Sequence, residues 1–168
     1  VLFTGPSAYA IVSQVHYVRA NTWSYLDVSR GQTYGPSELV SELKEASMFL
    51  DKNTLPGERV LVLPWNPLVN FIANRESPSR YTWFLPWSST VQMQMETINA
   101  LESGKTRYIL YFADYAKSGW GENNTIERYA PLLVGYVSQH YKALHVICPN
   151  LVVLGRVLAD ESAMAVAE

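Results

Sequence analysis

The clearest pattern in the chain begins at Pro36. Leu39, Leu43, Ala46 and Leu50 recur at spacings of four, three and four, the signature of one apolar helix face. Pro36 suits a first helical turn. Glu38, Glu42 and Glu45 lie toward the front of this helix and Lys52 at its end, which complements the helix dipole. The segment 55–58, Leu-Pro-Gly-Glu, stops it. The next four residues, Val60 to Leu63, are apolar on both faces, as in a central parallel strand.

The same alternation continues. Residues 67–74 read as a short helix and 81–85 (Tyr-Thr-Trp-Phe-Leu) as a second strand. Val91, Met95, Ile98 and Leu101 mark a helix from about Thr90 to Ser103, closed by Gly104. A third strand follows from Arg107 to Phe112, then a loop over 113–125 and a helix through Tyr129, Leu133, Tyr136 and His140. Two last strands, 144–148 and 151–157, flank Pro149-Asn150 as an antiparallel hairpin. Strands alternating with helices imply a mostly parallel sheet covered on both faces. The expected fold is therefore α/β, a three-layer, Rossmann-like sandwich with a C-terminal antiparallel hairpin.

The ends are less patterned. Residues 1–35 form a lead-in, with loop character at Asn21-Thr22-Trp23 and Ser29-Arg30-Gly31-Gln32. The domain itself is expected over 36–158, and 159–168 as a frayed or shortly helical tail. The abrupt apolar start at Val1-Leu2-Phe3 is what a chain cut just after a membrane span would leave.

Composition narrows the partners. The 168 residues suit one domain able to bury a core without metal or disulfide. Hydrophobic residues make up 48% and charged residues 17%, against about 25% charged in ordinary soluble domains. Tyrosine (11) and tryptophan (5) fill part of that gap, fitting either a docking surface or a large aromatic core. With a net charge of −2 and no basic stripe, no nucleic-acid partner is expected. Cys148, the single cysteine, sits in an apolar run and reads as an inert thiol.

Candidate chemistry gathers at the expected carboxyl edge of the sheet, where open α/β folds bind ligands. Three loops there each carry a tryptophan: Trp65 beside Asn66, Trp87, and Trp120 within 114–124. Tryptophan stacks on sugar faces, sits at membrane interfaces and anchors protein contacts. Trp65 and Trp87 could instead fold back as lids over helix N-termini. Asp114 follows the third strand and is the best single acid; Glu122 or Glu127 could join it for acid/base work, although a turn-capping role is the plainer reading. Pro64-Trp65-Asn66-Pro67 stands where a dinucleotide-binding turn would need backbone donors, so NAD and FAD are not expected, and no other cofactor is. His16, His140 and His145 are scattered without metal-ligand spacing. Arg75 and Arg80 flank residues 76–79 as a solvated loop or an anion site.

The run from Asp51 to Leu68, then Asn74-Arg75, residues 77–81, Phe84-Leu85-Pro86, Ala100-Leu101-Glu102 and Arg107 to Leu110 resembles a known pattern. It is similar to the soluble C-terminal domain of bacterial multi-spanning glycosyltransferases. These are the polyprenyl-phosphate-sugar-dependent enzymes related to protein mannosyltransferases and aminoarabinose transferases. The likeness covers roughly 36–157. It implies a non-catalytic accessory domain on the extracytoplasmic face of the cytoplasmic membrane, with no catalytic residue in this chain. Its partners would be the membrane-embedded part of the same chain and a saccharide or lipid-linked sugar, met by Trp65, Trp87 and Trp120. An independent small-molecule or saccharide-binding module, or a hydrolase using Asp114 and Glu122, are the alternative readings.

Overall fold

A computed structural model describes residues 22–28, 30–113 and 124–157. It is a mixed α/β arrangement with a four-stranded mixed sheet and a separate two-stranded antiparallel sheet.

The smaller sheet occupies much of the expected lead-in. Strands β1 (Trp23–Val28) and β2 (Gly31–Pro36) pair antiparallel, with Val28 opposite Gly31 at the turn. Trp23 and Gly31-Gln32, read as loop, are strand residues: the glycine that looked like loop punctuation sits at φ +154, where side-chain-bearing residues are strained. Leu26 points inward and is buried against the first helix. This hairpin therefore packs on the domain.

Helix α1 (Ser37–Asn53) buries Leu43, Ala46 and Leu50 of the expected face, with Val40 buried and Leu39 only half-buried. Strand β3 (Val60–Leu63) is buried at every position. It is nevertheless an outer strand of the sheet, whose order is β3-β4-β6-β5, with β4 Tyr108–Phe112, β5 Tyr141–Cys148 and β6 Leu151–Arg156. What covers its outer side is the irregular segment after helix α2 (Leu68–Ile72). Val60 N donates to Glu76 O at 2.9 Å, Asn70 Nδ2 to Val60 O at 2.9 Å and Phe84 N to Pro64 O at 2.9 Å. These bonds occupy both ends of that edge and hinder pairing with another strand.

The strand expected at 81–85 does not form. Trp83 makes one isolated bridge to Trp65, Phe84 alone enters the core, and Leu85 turns back to Ser88. The segment's residue types favour strand, but Ser79, Tyr81 and Phe84 bond to neighbouring loops and to α3 rather than to a ladder. Without that strand the sheet is not mostly parallel. β3 and β4 are parallel, while β4 with β6 and β6 with β5 are antiparallel. The closing hairpin forms as expected, with β6 rather than β5 joining β4.

Helix α3 (Val91–Ser103) starts where expected: Thr90 caps it, its hydroxyl accepting from Met93 N at 3.2 Å. Only part of the expected apolar face turns inward: Leu101 is buried and Ile98 packs half-buried against the core. Gln94, Thr97 and Leu101 are buried, whereas Val91 and Met95 are 65% and 44% exposed. The helix expected through Tyr129 to His140 is two, α4 (Ile126–Tyr129) and α5 (Pro131–His140), because Pro131 interrupts the ladder and opens the second.

Alternate residues of the strands feed two separate hydrophobic clusters. Val60, Val62, Leu110, Phe112, Leu151 and Val153 join Leu26 and the inward residues of α1 and α2. Leu61, Leu63 and Ile109 join Phe84, Leu101 of α3, Ile126 of α4 and Leu133 and Val137 of α5. Each fully buried leucine or isoleucine stabilises the fold by roughly 1.5–3 kcal/mol.

Candidate functional site

The carboxyl end of β3 leads through a cis Leu63-Pro64 bond into Trp65, Asn66 and Pro67, which caps α2. Asn66 is 7% exposed and held at φ +134, outside the ordinary regions for a residue with a side chain. Such a backbone costs about 1–3 kcal/mol and persists only where the surroundings fix it. Here they do: Asn66 O accepts from Val69 N at 3.2 Å to begin α2, and Pro64 O accepts from Phe84 N.

That last bond places Trp83 against Trp65. Their ring centroids are 6.1 Å apart with the planes tilted by 36°. Trp83 is 52% exposed, and Trp87, on the turn after Leu85, is 64% exposed. Trp87 thus reaches this end of the molecule through the Phe84–Pro64 bond, not from the carboxyl end of a strand. Trp83 went unnoticed in the sequence because it lay inside an expected strand.

Beside this loop runs the end of β4, with Tyr111 directly across from Leu63. The Tyr111 hydroxyl donates to Glu127 Oε1 at 3.5 Å, and Tyr129 lies on the same short helix as Glu127. Burial first, and then the Glu127 charge, push the phenols of Tyr111 and Tyr129 up to about 12. Both stay neutral donors beside a carboxylate acceptor. Indole faces, neutral phenols and one carboxylate suit stacking on a sugar ring or an amphiphile and hydrogen bonding to its hydroxyls.

Asp114, Trp120 and Glu122 lie outside the described residues, as does His16. Glu127, considered as a companion for Asp114, contacts Tyr111. Neither arginine weighed as an anion ligand is free for that role. Arg75 is buried, with bonds to Leu50 O, Thr54 O and Asp51, and Arg80 is paired with Glu96 at 2.9 Å. His140 packs on the Tyr136 ring and His145 on the Phe49 ring. Cys148 is a free, half-buried thiol whose pKa burial raises, which matches an inert cysteine. Among the described residues no group of three or more His, Cys, Asp or Glu side chains could hold a metal ion, and no helix is long and apolar enough to cross a membrane.

Apolar surface continues from this end along α3. Val91 and Met95 stand one turn apart on its outer face, and Leu132, 43% exposed, follows from the contact between Gln94 and the start of α5. Compared with family models, curated proteins and solved structures, the chain finds no match.

Proposed function

We propose that this chain is a non-catalytic accessory domain of a membrane glycosyltransferase that uses a lipid-phosphate-linked sugar. On this reading it lies at the extracytoplasmic face of the bacterial cytoplasmic membrane and touches the membrane-embedded part, the lipid or the acceptor. The resemblance over residues 36–157 motivates the reading. The observation that carries it is the outward apolar surface of Trp83, Trp87, Val91 and Met95. Helix α3 packs Leu101 and Ile98 inward but leaves Val91 and Met95 outward, an exposed apolar pair of the kind that marks a contact surface. The three-layer, Rossmann-like description belongs to the same proposal, supported by the two clusters that alternate strand residues supply.

The test is binding to vesicles with and without polyprenyl phosphate, read by tryptophan emission and co-sedimentation. Binding that falls at least several-fold in Trp87→Ala and Met95→Ser supports the reading. Equal binding by the variants, or none by the unaltered chain, overturns it. A specific observation favours the second reading, a saccharide-binding module: Trp65, Tyr111, Glu127 and Tyr129 combine stacking surface with hydroxyl partners. Its mark would be saccharide binding, lost in Trp65→Ala, by a chain that ignores vesicles.

A further inference from the structure

The opposite border of the sheet is open. β5 is an eight-residue strand that pairs with β6 on one side, and among the described residues nothing pairs with its other side. Lys142 to Val146 are all exposed, with Leu144 61% and Val146 59% exposed. Met48, 61% exposed, adds to this apolar strip from α1, where it shares a groove of about 460 Å³ with Phe49, His145 and Ile147. Edge strands are templates for pairing; Lys142 and two register shifts blunt β5 only in part, since Leu144 and Val146 stay outward between them.

The charges beside β5 are divided between its ends. At its start, Lys142 lies opposite Gly155, in the wall of a groove of about 550 Å³ that Lys105, Arg107 and Arg156 line together with Glu102. At its finish, Cys148 lies in a groove lined by Glu38, Glu42 and Glu45. Helix α1 follows the same polarity, from these glutamates to Lys52. A strip with a basic end, an apolar middle and an acidic end is complementary to itself when turned by a two-fold rotation. Antiparallel pairing of two copies would set each basic end on the other's acidic end and join Leu144 and Val146 across the axis. A two-fold contact requires that property of one patch: residue i meets j, and j meets i.

We infer that β5 is a homodimer interface, in which two copies join edge to edge into one continuous sheet. The register breaks near Leu144 and Ile147 add twist to the strand, so the joint is a twisted ribbon rather than a flat one.

Sedimentation velocity from roughly 1 μM to roughly 100 μM should show a concentration-dependent dimer. Lys142→Glu and Glu45→Lys, both on the surface, should each weaken it by about tenfold, since each change acts twice across the axis. The double variant, its charges exchanged, should return to within about threefold of the original. Val146→Lys, with unchanged circular dichroism, should be monomeric. A monomer throughout the range overturns the inference, as does a double variant weaker than either single one. Concentration-independent amide protection of β5 also overturns it, because a segment of the same chain would then cover the edge.

Discussion

Nη2 of Arg75 donates to the carbonyl of Leu50 at 2.9 Å, across 25 positions of sequence, at the point where α1 ends. The same guanidinium reaches Thr54 O at 3.0 Å, Thr54 Oγ1 at 2.5 Å and Asp51, and also donates to Ala73 O. Leu50 O also accepts from Thr54 N and Thr54 Oγ1, so the buried arginine fork ties the helix end and its cap residue to the segment after α2. Arg75→Leu should lower stability by about 3 kcal/mol, and Arg75→Lys by nearly as much, because an ammonium cannot span the same acceptors. Urea unfolding at constant m-value measures the loss; a change within experimental error for Arg75→Leu would contradict the clamp.

Gln94 does the corresponding job at the start of α5. Its Oε1 accepts from Leu132 N at 2.9 Å and Leu133 N at 3.3 Å, while Nε2 donates to Ser89 O at 3.3 Å. Gln94→Met keeps the volume and removes these bonds, so it should cost about 1–3 kcal/mol. Hydrogen exchange gives the sharper readout: the Leu132 and Leu133 amides should lose protection while β3 and β4 keep theirs.

Tyr111, Tyr129 and Tyr141 are each pushed up to about 12, with burial the largest cause in all three. A group whose folded pKa lies above its unfolded value near 10 favours the fold while protonated. Its contribution is complete below about pH 10 and is lost as pH rises from there toward 12. Stability should therefore be level between neutrality and about pH 9 with respect to these groups and fall steeply above pH 10. Tyr111→Phe should soften that fall, as followed by phenolate absorbance alongside unfolding. Phenolate forming fully near pH 10 in the folded chain would contradict this account.

Gly104 closes α3, but not through the left-handed conformation that usually selects glycine there. Its φ is −79, and the positive φ of 47 falls on Lys105. A Cβ at Gly104 would lie 2.9 Å from the backbone oxygen of Ala100. Gly104→Ala should thus cost about 1–2 kcal/mol through crowding, while Lys105→Gly should gain up to about 1 kcal/mol by relieving its backbone. Thermal unfolding of the two variants should shift in opposite directions.

Where spacing and burial agreed, the sequence was readable. Leu43, Ala46 and Leu50 define α1, and the unbroken apolar run at Val60 marks a strand buried on both faces. Thr90 and Pro149-Asn150 mark a helix start and a turn through their own local chemistry. Reading failed where a distant partner decided the matter. Gln94 and Thr97 turn inward because Leu132, Leu133 and Ser79 satisfy them, which no periodicity within α3 reveals. Arg75 looked solvated because the acceptors at Leu50 and Thr54 lie more than twenty positions earlier. In the candidate site, Trp65, Asn66 and Trp87 could be named from loop position. Trp83 and Tyr111 could not, since their places depend on the single bridge to Trp65 and on the pairing of β4 with β3.

The two borders of the four-stranded sheet differ, and the difference limits what the molecule can build. Glu76, Asn70 and Phe84 bond to the ends of the β3 border, whereas among the described residues nothing pairs with the outer side of β5. A sheet open on both sides could grow without end, as fibres do. On the proposed pairing through β5, a first union uses up that edge, and assembly through it stops at a pair.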